Sequence, residues 1–563
     1  QAKTLLWMMV LRFEFKMLYL MKKIILGKIG HLLSFYRYRK KEDPFKTFCN
    51  IKLLEHPKVT SNKSLLVVPI RVSPTSNLFE GLIGYAMKLR GYKVYCLLDG
   101  GMLKRSENSN VDSNYFISNC LSVFEQKRFY KIFGFIPLYF DELIDKKEVE
   151  SIANDIENLT KEEIVDFKFN GVKVGVHAQY GVMRYLKVES ILNEHTELLR
   201  EFLITSIYTS LATAKAAAKC NPDFAIISHG CYSTWGASLD TLKRKGIETS
   251  VWGRGYIGNG NLLISHNESY LFDYIYEDNS LWDNEPLSFD NVEKIKNYYK
   301  NKRVRGNSVD GLSYYKKIDN DNHDEFKKLS IRNKKYKKSI GIFPNIPWDG
   351  TMFSASKSFK NMKDFVQAFI ILAKENQDTH FIIRAHPAEE ERKGNESRET
   401  FKDILYNISK EIPENVTYIE PKSKVTSYQV SDIVNAALMF GSTLSLEFSV
   451  AGLPVIQVGL TNTSNKGIVY EPKNLEELKI IFKIVTENDY IHPVSMHDRA
   501  IKYAYHWVYR KHIPETLVNL KSLEFQGYKI ESTKDMAIGE NKILDFICNR
   551  LETREPVVIN DES

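Results

Sequence analysis

Cysteine is scarce in this chain, and the cysteines that are present form no recognisable pattern. Only six occur among 563 residues, and no two of them form a C-x-x-C pair. This scarcity argues against a zinc site and against a disulfide framework, and it favours a reducing, cytoplasmic compartment. No metal site is therefore expected. The six are Cys49, Cys96, Cys120, Cys220, Cys231 and Cys548.

Long apolar runs are also missing. No uncharged stretch reaches the roughly 18 residues of a membrane-spanning helix. Residues 5–36 are rich in large apolar side chains, but charged residues interrupt them and no small-residue cleavage site indicates a signal peptide. Together with the basic cluster at 37–41, this segment predicts an amphipathic helix on the inner face of the cell membrane. The alternatives are a helix packed on the first domain, or a translation artefact upstream of Met21.

Neither sign of charge dominates the sequence. There are 78 Lys and Arg residues against 70 Asp and Glu residues, which gives a net charge of +8. This small excess permits attraction to an anionic membrane or an acidic glycan, but it does not predict a nucleic-acid partner. The length exceeds what one hydrophobic core supports, so two or more domains are expected.

Apolar runs alternate with helical patterns in both halves of the chain. This alternation predicts an α/β fold of two Rossmann-like domains, preceded by an amphipathic helical segment and followed by C-terminal helices. The predicted segments are 1–60 for the basic amphipathic region, 61–300 for the first α/β domain, 301–338 for a polar linker, 339–490 for the second α/β domain and 491–563 for the C-terminal helices and tail.

The most informative motif is Phe440–Gln457, FGSTLSLEFSVAGLPVIQ. It predicts a polar turn, a short helix, a Gly-x-Pro break and a buried strand. Gly441 lets the backbone approach a ligand closely because it has no Cβ. The helix start offers unpaired N–H groups to an anion, and Glu447, about one turn later, can bind a sugar hydroxyl. The hydroxyls beside that helix start belong to Ser442, Thr443 and Ser445.

A second motif, FIIRAHP, spans Phe381–Pro387. Its apolar residues predict a buried strand, and ligands bind beyond the carboxyl ends of parallel strands. Arg384 can bind a phosphate with two N–H groups, and His386 can bind a phosphate or donate a proton to a leaving group. Pro387 restricts the geometry of His386. The alternative is that His386 only pairs with Glu389 or a backbone carbonyl.

These motifs resemble those of a known family. The run from Glu447 through Gly452 and Pro454 resembles the donor-site signature of glycosyltransferases with the GT-B fold, which implies that Glu447 binds the nucleotide ribose. The Gly441-Ser-Thr turn and the R-x-H-P sequence resemble the Ser/Thr and HP motifs of bacterial capsule polysaccharide transferases and sialyltransferases. The resemblance implies that residues 61–300 bind the acceptor and residues 339–490 bind the nucleotide sugar. Taken alone, the Gly-x-Pro-Val-Ile segment could be an ordinary helix-to-strand connection.

Three further residues are candidate catalytic groups because each follows a predicted strand. Asp99 follows Tyr92–Leu98, His229 follows the strand at 225–227, and Asp349 follows Lys338–Phe343. The alternative for both aspartates is turn formation, and the alternative for the histidine is a packed structural role. His177, in a glycine-rich segment interpreted as a loop, could face an acceptor.

The resemblance implies a glycosyltransferase that moves a sugar from a nucleotide-sugar donor to a cell-surface polysaccharide or glycolipid. The paired HP and Ser/Thr motifs suggest a CMP-linked acidic sugar. The absence of a convincing D-x-D pair fits a metal-independent mechanism, with the nucleotide sugar as substrate and no other cofactor. The alternatives are a polyol-phosphate transferase with a CDP donor, a nucleotide-sugar epimerase, and a non-catalytic scaffold of a glycan assembly complex. The acidic-Gly motif of sialyltransferases is reduced here to Trp348-Asp349-Gly350, which leaves the donor and the base open.

Overall fold

The structure is a computed structural model. It describes residues 21, 23–39, 41–51, 62–109, 111, 114–257, 260–284, 286–305, 323–348, 358–391, 396–521 and 524–560.

The first α/β unit is built on a seven-stranded sheet whose order is β12-β6-β5-β4-β1-β2-β3. Strands β1 to β5 run parallel to one another, whereas β6 pairs antiparallel with β5 and β12 pairs antiparallel with β6 at one edge. The order 3-2-1-4-5-6 is that of a doubly wound Rossmann sheet. The strands are β1 Ser64–Ile70, β2 Lys93–Leu98, β3 Ile136–Tyr139, β4 Phe224–Ser228, β5 Thr249–Arg254, β6 Asn261–His266 and β12 Ile513–Pro514.

Helices cover both faces of this sheet, because buried strands need an apolar cover on each side. They are α1 at 23–37, α2 Pro44–Cys49, α3 Leu78–Leu89, α4 Tyr115–Phe133, α5 Phe140–Leu143, α6 Lys146–Ile156, α7 Lys161–Asp166, α8 Val174–Leu186, α9 Thr196–Cys220, α10 Ala237–Arg244, α11 Tyr270–Tyr276 and α12 Ser280–Asp283. Short 3-10 or π turns lie at Asn193–His195 and Tyr232–Gly236.

The second unit has a five-stranded parallel sheet of order β11-β10-β7-β8-β9. Counted from its own first strand, this is again the Rossmann order 3-2-1-4-5. Its strands are β7 Lys338–Pro344, β8 Thr379–Arg384, β9 Val416–Ile419, β10 Ala436–Phe440 and β11 Val455–Gln457. Its helices are α13 Phe289–Arg305, which precedes the sheet, α14 His323–Asn333, α15 Met362–Glu375, α16 Ala388–Glu391, α17 Phe401–Ile408, α18 Ser427–Ser431, α19 Leu444–Val450 and α20 Leu475–Val485.

The C-terminal part of the chain returns to the first unit. Helix α21 (Val494–Tyr505) continues as a π-helical turn, His506–Lys511, and β12 then pairs with β6. A hairpin of β13 (Val518–Lys521) and β14 (Glu524–Tyr528), a 3-10 turn at Thr533–Met536 and helix α22 (Lys542–Thr553) complete the fold. Apolar residues of this region share a core with α3 and β1.

These two Rossmann-like units, with the C-terminal return, confirm the predicted α/β fold class of GT-B type. The predicted linker, 301–338, contains the end of α13, all of α14 and the start of β7, while residues 306–322 lie outside the described residues. One element was predicted wrongly: the segment around His177 is helix α8 and not a loop, and His177 Nε2 lies 2.8 Å from Asp240 Oδ2.

Residues 23–37 of the basic N-terminal segment form α1, which packs on the first unit along one side. Leu26 and Ser34 are buried, and Leu26 packs against Cys120 and Val123 of α4. In the part of the chain that the structure describes, no helix has the length and apolar character needed to cross a bilayer.

Candidate functional site

The predicted donor motifs meet at one edge of the second sheet. Strand β7 lies between β8, which leads into Arg384 and His386, and β10, which leads into Gly441. The strand order reverses between β7 and β10, and such switch points bind ligands in doubly wound sheets. The side-chain amide of Asn345, just after β7, donates a 3.0 Å hydrogen bond to the Gly441 carbonyl across this point.

The turn after β10 has the geometry that its sequence predicts. Gly441 has a φ of +69°, in the left-handed region that favours glycine. Ser442 Oγ accepts a 3.3 Å hydrogen bond from the Leu444 N–H, so this hydroxyl holds the turn together. Thr443 precedes α19, makes no side-chain cap hydrogen bond and lines a cavity.

Ser445 contacts the polar segment that follows β11. Its side chain is fully buried, and its Oγ lies 2.8 Å from Thr463 Oγ1. This contact joins α19 to the polar segment 461–466, which follows β11. Ser445 therefore positions that segment.

Glu447 is the charged centre of the site. It is 8% exposed, and each of its oxygens accepts one hydrogen bond. Lys302 Nζ donates to Oε1 and the Tyr428 hydroxyl donates to Oε2, both at 2.8 Å. Since Lys302 belongs to α13, this ion pair connects the helix before the second sheet to the donor motif.

A narrow cavity of about 10 Å3, room for about one water molecule, lies beside Glu447. The second unit supplies Thr443, Leu446 and Asn462, and the segment after β5 supplies Tyr256 and Ile257. Helix α13 and the C-terminal return add the remaining wall, which consists of Tyr298, Tyr299, Lys302 and Trp507. Burial, reinforced by the negative charge of Glu447, raises the pKa of both tyrosines on α13, so they remain neutral hydrogen-bonding groups. The cavity thus combines an aromatic wall with one carboxylate, one ammonium and one amide.

Asn462 is a site residue that the sequence analysis missed. Only 1% of it is exposed, its Oδ1 lies 3.2 Å from the Thr461 hydroxyl, and its Nδ2 has no hydrogen-bond partner among the described residues. A buried amide without a partner is costly, so a bound ligand that accepts its hydrogen bonds would stabilise it. The polar run at 461–466, directly after an apolar strand, was the sequence signal that could have identified it.

Arg384 is committed to the protein itself, which corrects its predicted role as a phosphate ligand. It is 2% exposed, and its guanidinium donates to five backbone carbonyls. An arginine has five N–H donors, so none remains for a phosphate. The acceptors are the carbonyls of Ala385, Glu420, Pro421, Ser423 and Val425, at 2.6 to 3.3 Å.

His386 and the buried Pro387 lie on the same sheet edge but do not line the cavity. His386 is half-buried, and its Nδ1 accepts a 3.1 Å hydrogen bond from the Ala388 N–H. The proton of the neutral ring therefore resides on Nε2. Glu389 Oε1 accepts from the Phe401 N–H, so the predicted alternative pairing of Glu389 with His386 is not the one formed.

His229 follows β4 at the corresponding switch point of the first sheet. Its φ of +55° is unusual for a non-glycine residue, and its ring stacks on Trp235 with a centroid distance of 4.4 Å. Nδ1 contacts the Ser228 hydroxyl. Burial, with smaller effects from Arg184 and Arg254, lowers the pKa of His229 to about 3, so the ring is neutral near pH 7.

The two predicted aspartates do not join this arrangement. Asp99 is fully buried; its Oδ1 accepts from Gln126 Nε2 at 2.6 Å, and its Oδ2 accepts from Arg71 Nε at 3.3 Å. Asp99 is therefore a structural residue and not an accessible base, which corrects its predicted role. Asp349 lies outside the described residues.

No protein-family model and no curated protein matches the chain. Among solved structures it is similar to Thermosulfurimonas dismutans KpsC, beta Kdo 2,4 transferase, with 10% identity, coverage of 50% of this chain and 79% of that chain, and a TM-score of 0.33. It is also similar to a putative UDP-N-acetylglucosamine 2-epimerase from Listeria monocytogenes, with 11% identity, coverage of 79% and 94%, and a TM-score of 0.25. With these TM-scores, the fold assignment rests on the strand orders described above.

Proposed function

We propose that this protein is a glycosyltransferase that binds a nucleotide sugar beside Glu447, at the switch point of the second sheet, and transfers the sugar to a cell-surface polysaccharide or glycolipid. The observation that supports this most is Glu447 itself, a buried carboxylate at a Rossmann switch point in an aromatic-walled cavity between the two units. A CMP-linked acidic sugar remains the proposed donor, from the motif resemblance alone.

The residues of the cavity have complementary proposed roles. Sugar hydroxyls of the donor replace Lys302 as hydrogen-bond donors to Glu447 Oε1, and the released ammonium faces the anionic groups of the donor. The Asn462 amide donates to an oxygen of the same ligand. His386, which follows β8, is proposed to contact the leaving phosphate. Arg384 is proposed to position His386, because its guanidinium holds the loop at 420–425.

His229 is the proposed proton acceptor for the incoming hydroxyl. It leaves β4, and Tyr256 of the cavity leaves the neighbouring strand β5. Adjacent parallel strands lie about 4.8 Å apart, so both residues emerge at the same side of the first sheet. A neutral imidazole is the form that can remove a proton. Asp349 remains an alternative base.

Membrane contact is proposed through α1. Its exposed apolar residues are Ile24, Ile25, Leu32, Phe35 and Tyr36. At 3.6 residues per turn they lie within about one third of the helix circumference. An exposed apolar face followed by basic residues suits the surface of an anionic bilayer, where a glycolipid acceptor would be found.

A panel of nucleotides tests the donor site. CMP, CDP, UDP, GDP and dTDP are each added to the wild type and to Glu447→Gln, and the melting temperature is recorded. A ligand that binds only the folded state raises that temperature. We expect one nucleotide to stabilise the wild type and to lose most of its effect in the variant, while the exposed Glu411→Gln behaves as wild type. If no nucleotide at millimolar concentration shifts the wild type, the transferase proposal fails and the non-catalytic scaffold is favoured.

A further inference from the structure

A second polar cavity lies in the first unit, beyond the carboxyl end of β1. Its volume is about 250 Å3, and it is bounded by α1, the loop after β2 and α4. Small-molecule sites begin at about 300 Å3, so this cavity suits a ligand of roughly one sugar ring. Among the residues that the structure describes, two arginines and six serines line it and no carboxylate does.

Arg71 is held rigidly at the base of this cavity. It is 9% exposed; its Nε donates to Asp99, and its Nη2 donates to Asn119 Oδ1 at 2.9 Å and to the Leu103 carbonyl at 2.8 Å. Its Nη1 makes no hydrogen bond to a described residue. The guanidinium therefore has one nitrogen available to a ligand, at no further cost in side-chain ordering.

The backbone just before Arg71 is irregular in a way that sets its direction. The β1–β2 register shifts between Val67 and Ile70, because β1 holds one extra residue there. Ile70 has a φ of +52°, which is an outlier for a β-branched side chain. Bulges and strained residues at strand ends are frequent beside binding sites, where they redirect the next side chain.

The second arginine, Arg37, comes from the end of α1 and is exposed. The cavity thus offers guanidinium groups from two elements, together with hydroxyls that can donate or accept hydrogen bonds. Guanidinium groups bind carboxylate and phosphate, and a set of hydroxyls suits the hydroxyls of a sugar.

We propose that this cavity binds an oxyanion, phosphate or carboxylate, attached to a sugar. The proposed binding of an anionic sugar is supported by the residues of this cavity and does not depend on the reaction. Its assignment as the acceptor site rests on the proposed glycosyl transfer, because the cavity lies at the carboxyl edge of the first sheet, the same edge as His229.

Calorimetric titration in the absence of nucleotide tests this proposal. The probes are glucose 6-phosphate, glucuronate, inorganic phosphate and glucose, added to the full chain. We expect glucose 6-phosphate or glucuronate to bind more tightly than glucose, and glucose 6-phosphate to bind more tightly than free phosphate if the serines contact the sugar. The proposal would be overturned if glucose bound as tightly as the anionic sugars, or if no anionic sugar bound at millimolar concentration.

Two substitutions locate the binding without disturbing the buried Arg71. Ser118→Asp places a carboxylate in the cavity, and Ser151→Asp makes the same change on the exposed face of α6. We expect Ser118→Asp to weaken the tighter anionic sugar by at least about tenfold, since like charges repel at short range, and Ser151→Asp to leave it unchanged. We expect Arg37→Ala to weaken binding of the same anionic sugar severalfold. Arg39→Ala, which changes an exposed arginine outside the cavity lining, should leave that binding unchanged.

These outcomes are separate from those of the donor test. Loss of sugar binding in Ser118→Asp, with an unchanged nucleotide shift, supports this second site whatever the reaction is. Unchanged sugar binding in both Ser118→Asp and Arg37→Ala overturns it, even where the nucleotide panel succeeds.

Discussion

At the scale of single residues, the buried amide of Asn462 is the clearest sign of a ligand in this protein. Its Nδ2 lacks a partner inside the cavity, so the free protein bears the cost of burying it. Function and stability therefore oppose each other at this position, as is common at binding sites.

Asn462→Leu tests this opposition. We expect the variant to gain about 1 kcal/mol in the free energy of unfolding, because an unpaired polar group is replaced by an apolar one of similar size, and to bind the stabilising nucleotide at least tenfold more weakly. Urea denaturation and a nucleotide titration measure the two effects. The control is Asn415→Leu, since the buried Asn415 amide already donates three hydrogen bonds, at 2.9, 2.9 and 3.0 Å. This control should lose stability and keep nucleotide affinity; the same pattern in Asn462→Leu would refute the assignment.

His229 has a pH signature that follows from its environment. Its pKa is about 3 in the folded protein and near 6.5 in an unfolded chain, so the folded state binds fewer protons between these values. Stability from this group therefore rises with pH across that window. His229→Gln should remove a cost of about 1–2 kcal/mol at pH 5 and change little at pH 7.5, as measured by urea denaturation.

The same variant tests the proposed chemistry. If His229 accepts the proton, the transfer rate should fall by about 10²–10⁴-fold in His229→Gln while nucleotide affinity is kept. The wild-type rate should show no loss from protonation of this histidine between pH 5 and 7. The matched control is His177→Gln, which changes a histidine paired with Asp240 and should leave the transfer rate unchanged. A His229→Gln variant with the wild-type rate would leave Asp349 as the remaining candidate base.

Residue types could be predicted from the sequence, but their partners could not. The motif around Glu447 indicated a carboxylate that can bind a sugar hydroxyl, and Glu447 lines the cavity. Arg384 was chosen for its chemistry, but its guanidinium is used by a loop that lies some 40 residues later in the chain. Nothing in the FIIRAHP pattern encodes that loop, so a free and a fully bonded arginine look identical in sequence.

At the scale of elements, strands were predicted best, because a short apolar run between turn residues has few other structures open to it. The predicted strands at 225–227 and Lys338–Phe343 lie within β4 (Phe224–Ser228) and β7 (Lys338–Pro344). Helix α8 was missed because its glycines were interpreted as loop residues. A Cβ at Gly175 would lie 2.0 Å from the Ile164 carbonyl oxygen, so this glycine allows close helix packing and does not mark a turn.

Helix α1 packs on the first unit, which is one of the alternatives that its sequence left open. One side packs on α4, and the other presents apolar residues to solvent, with Phe35 72% and Leu32 65% exposed. We expect the full chain to sediment with vesicles of phosphatidylcholine and phosphatidylserine, and Leu32→Glu/Phe35→Glu to reduce this binding at least tenfold, since each charge opposes burial in the interface. Ile480→Glu/Ile484→Glu changes two exposed isoleucines of α20 and should bind as wild type. Equal binding of the two double variants would exclude α1 as the contact.

At the scale of the whole molecule, the site depends on contacts between distant parts of the chain. Lys302 and Glu447 are 145 residues apart, and Trp507 completes the same cavity from the C-terminal return. The loop bearing Asn462 is fixed from the first unit, because Asn465 Nδ2 and Lys466 Nζ each donate 3.1 Å hydrogen bonds, to the Ile275 and Glu277 carbonyls. Two Rossmann units could be predicted from local patterns, but these contacts between residues far apart in the chain could not.

Hydrogen exchange with the stabilising nucleotide tests the central claim most directly. Amides of α13 (Phe289–Arg305), of residues 441–447 and of the loop at 461–466 should exchange more slowly when the nucleotide is bound, because all three surround one ligand. Amides of β13 and β14, at the far end of the C-terminal return, should not change. Protection confined to the first unit, or to a surface away from Glu447, would show that the nucleotide binds elsewhere and would contradict the account.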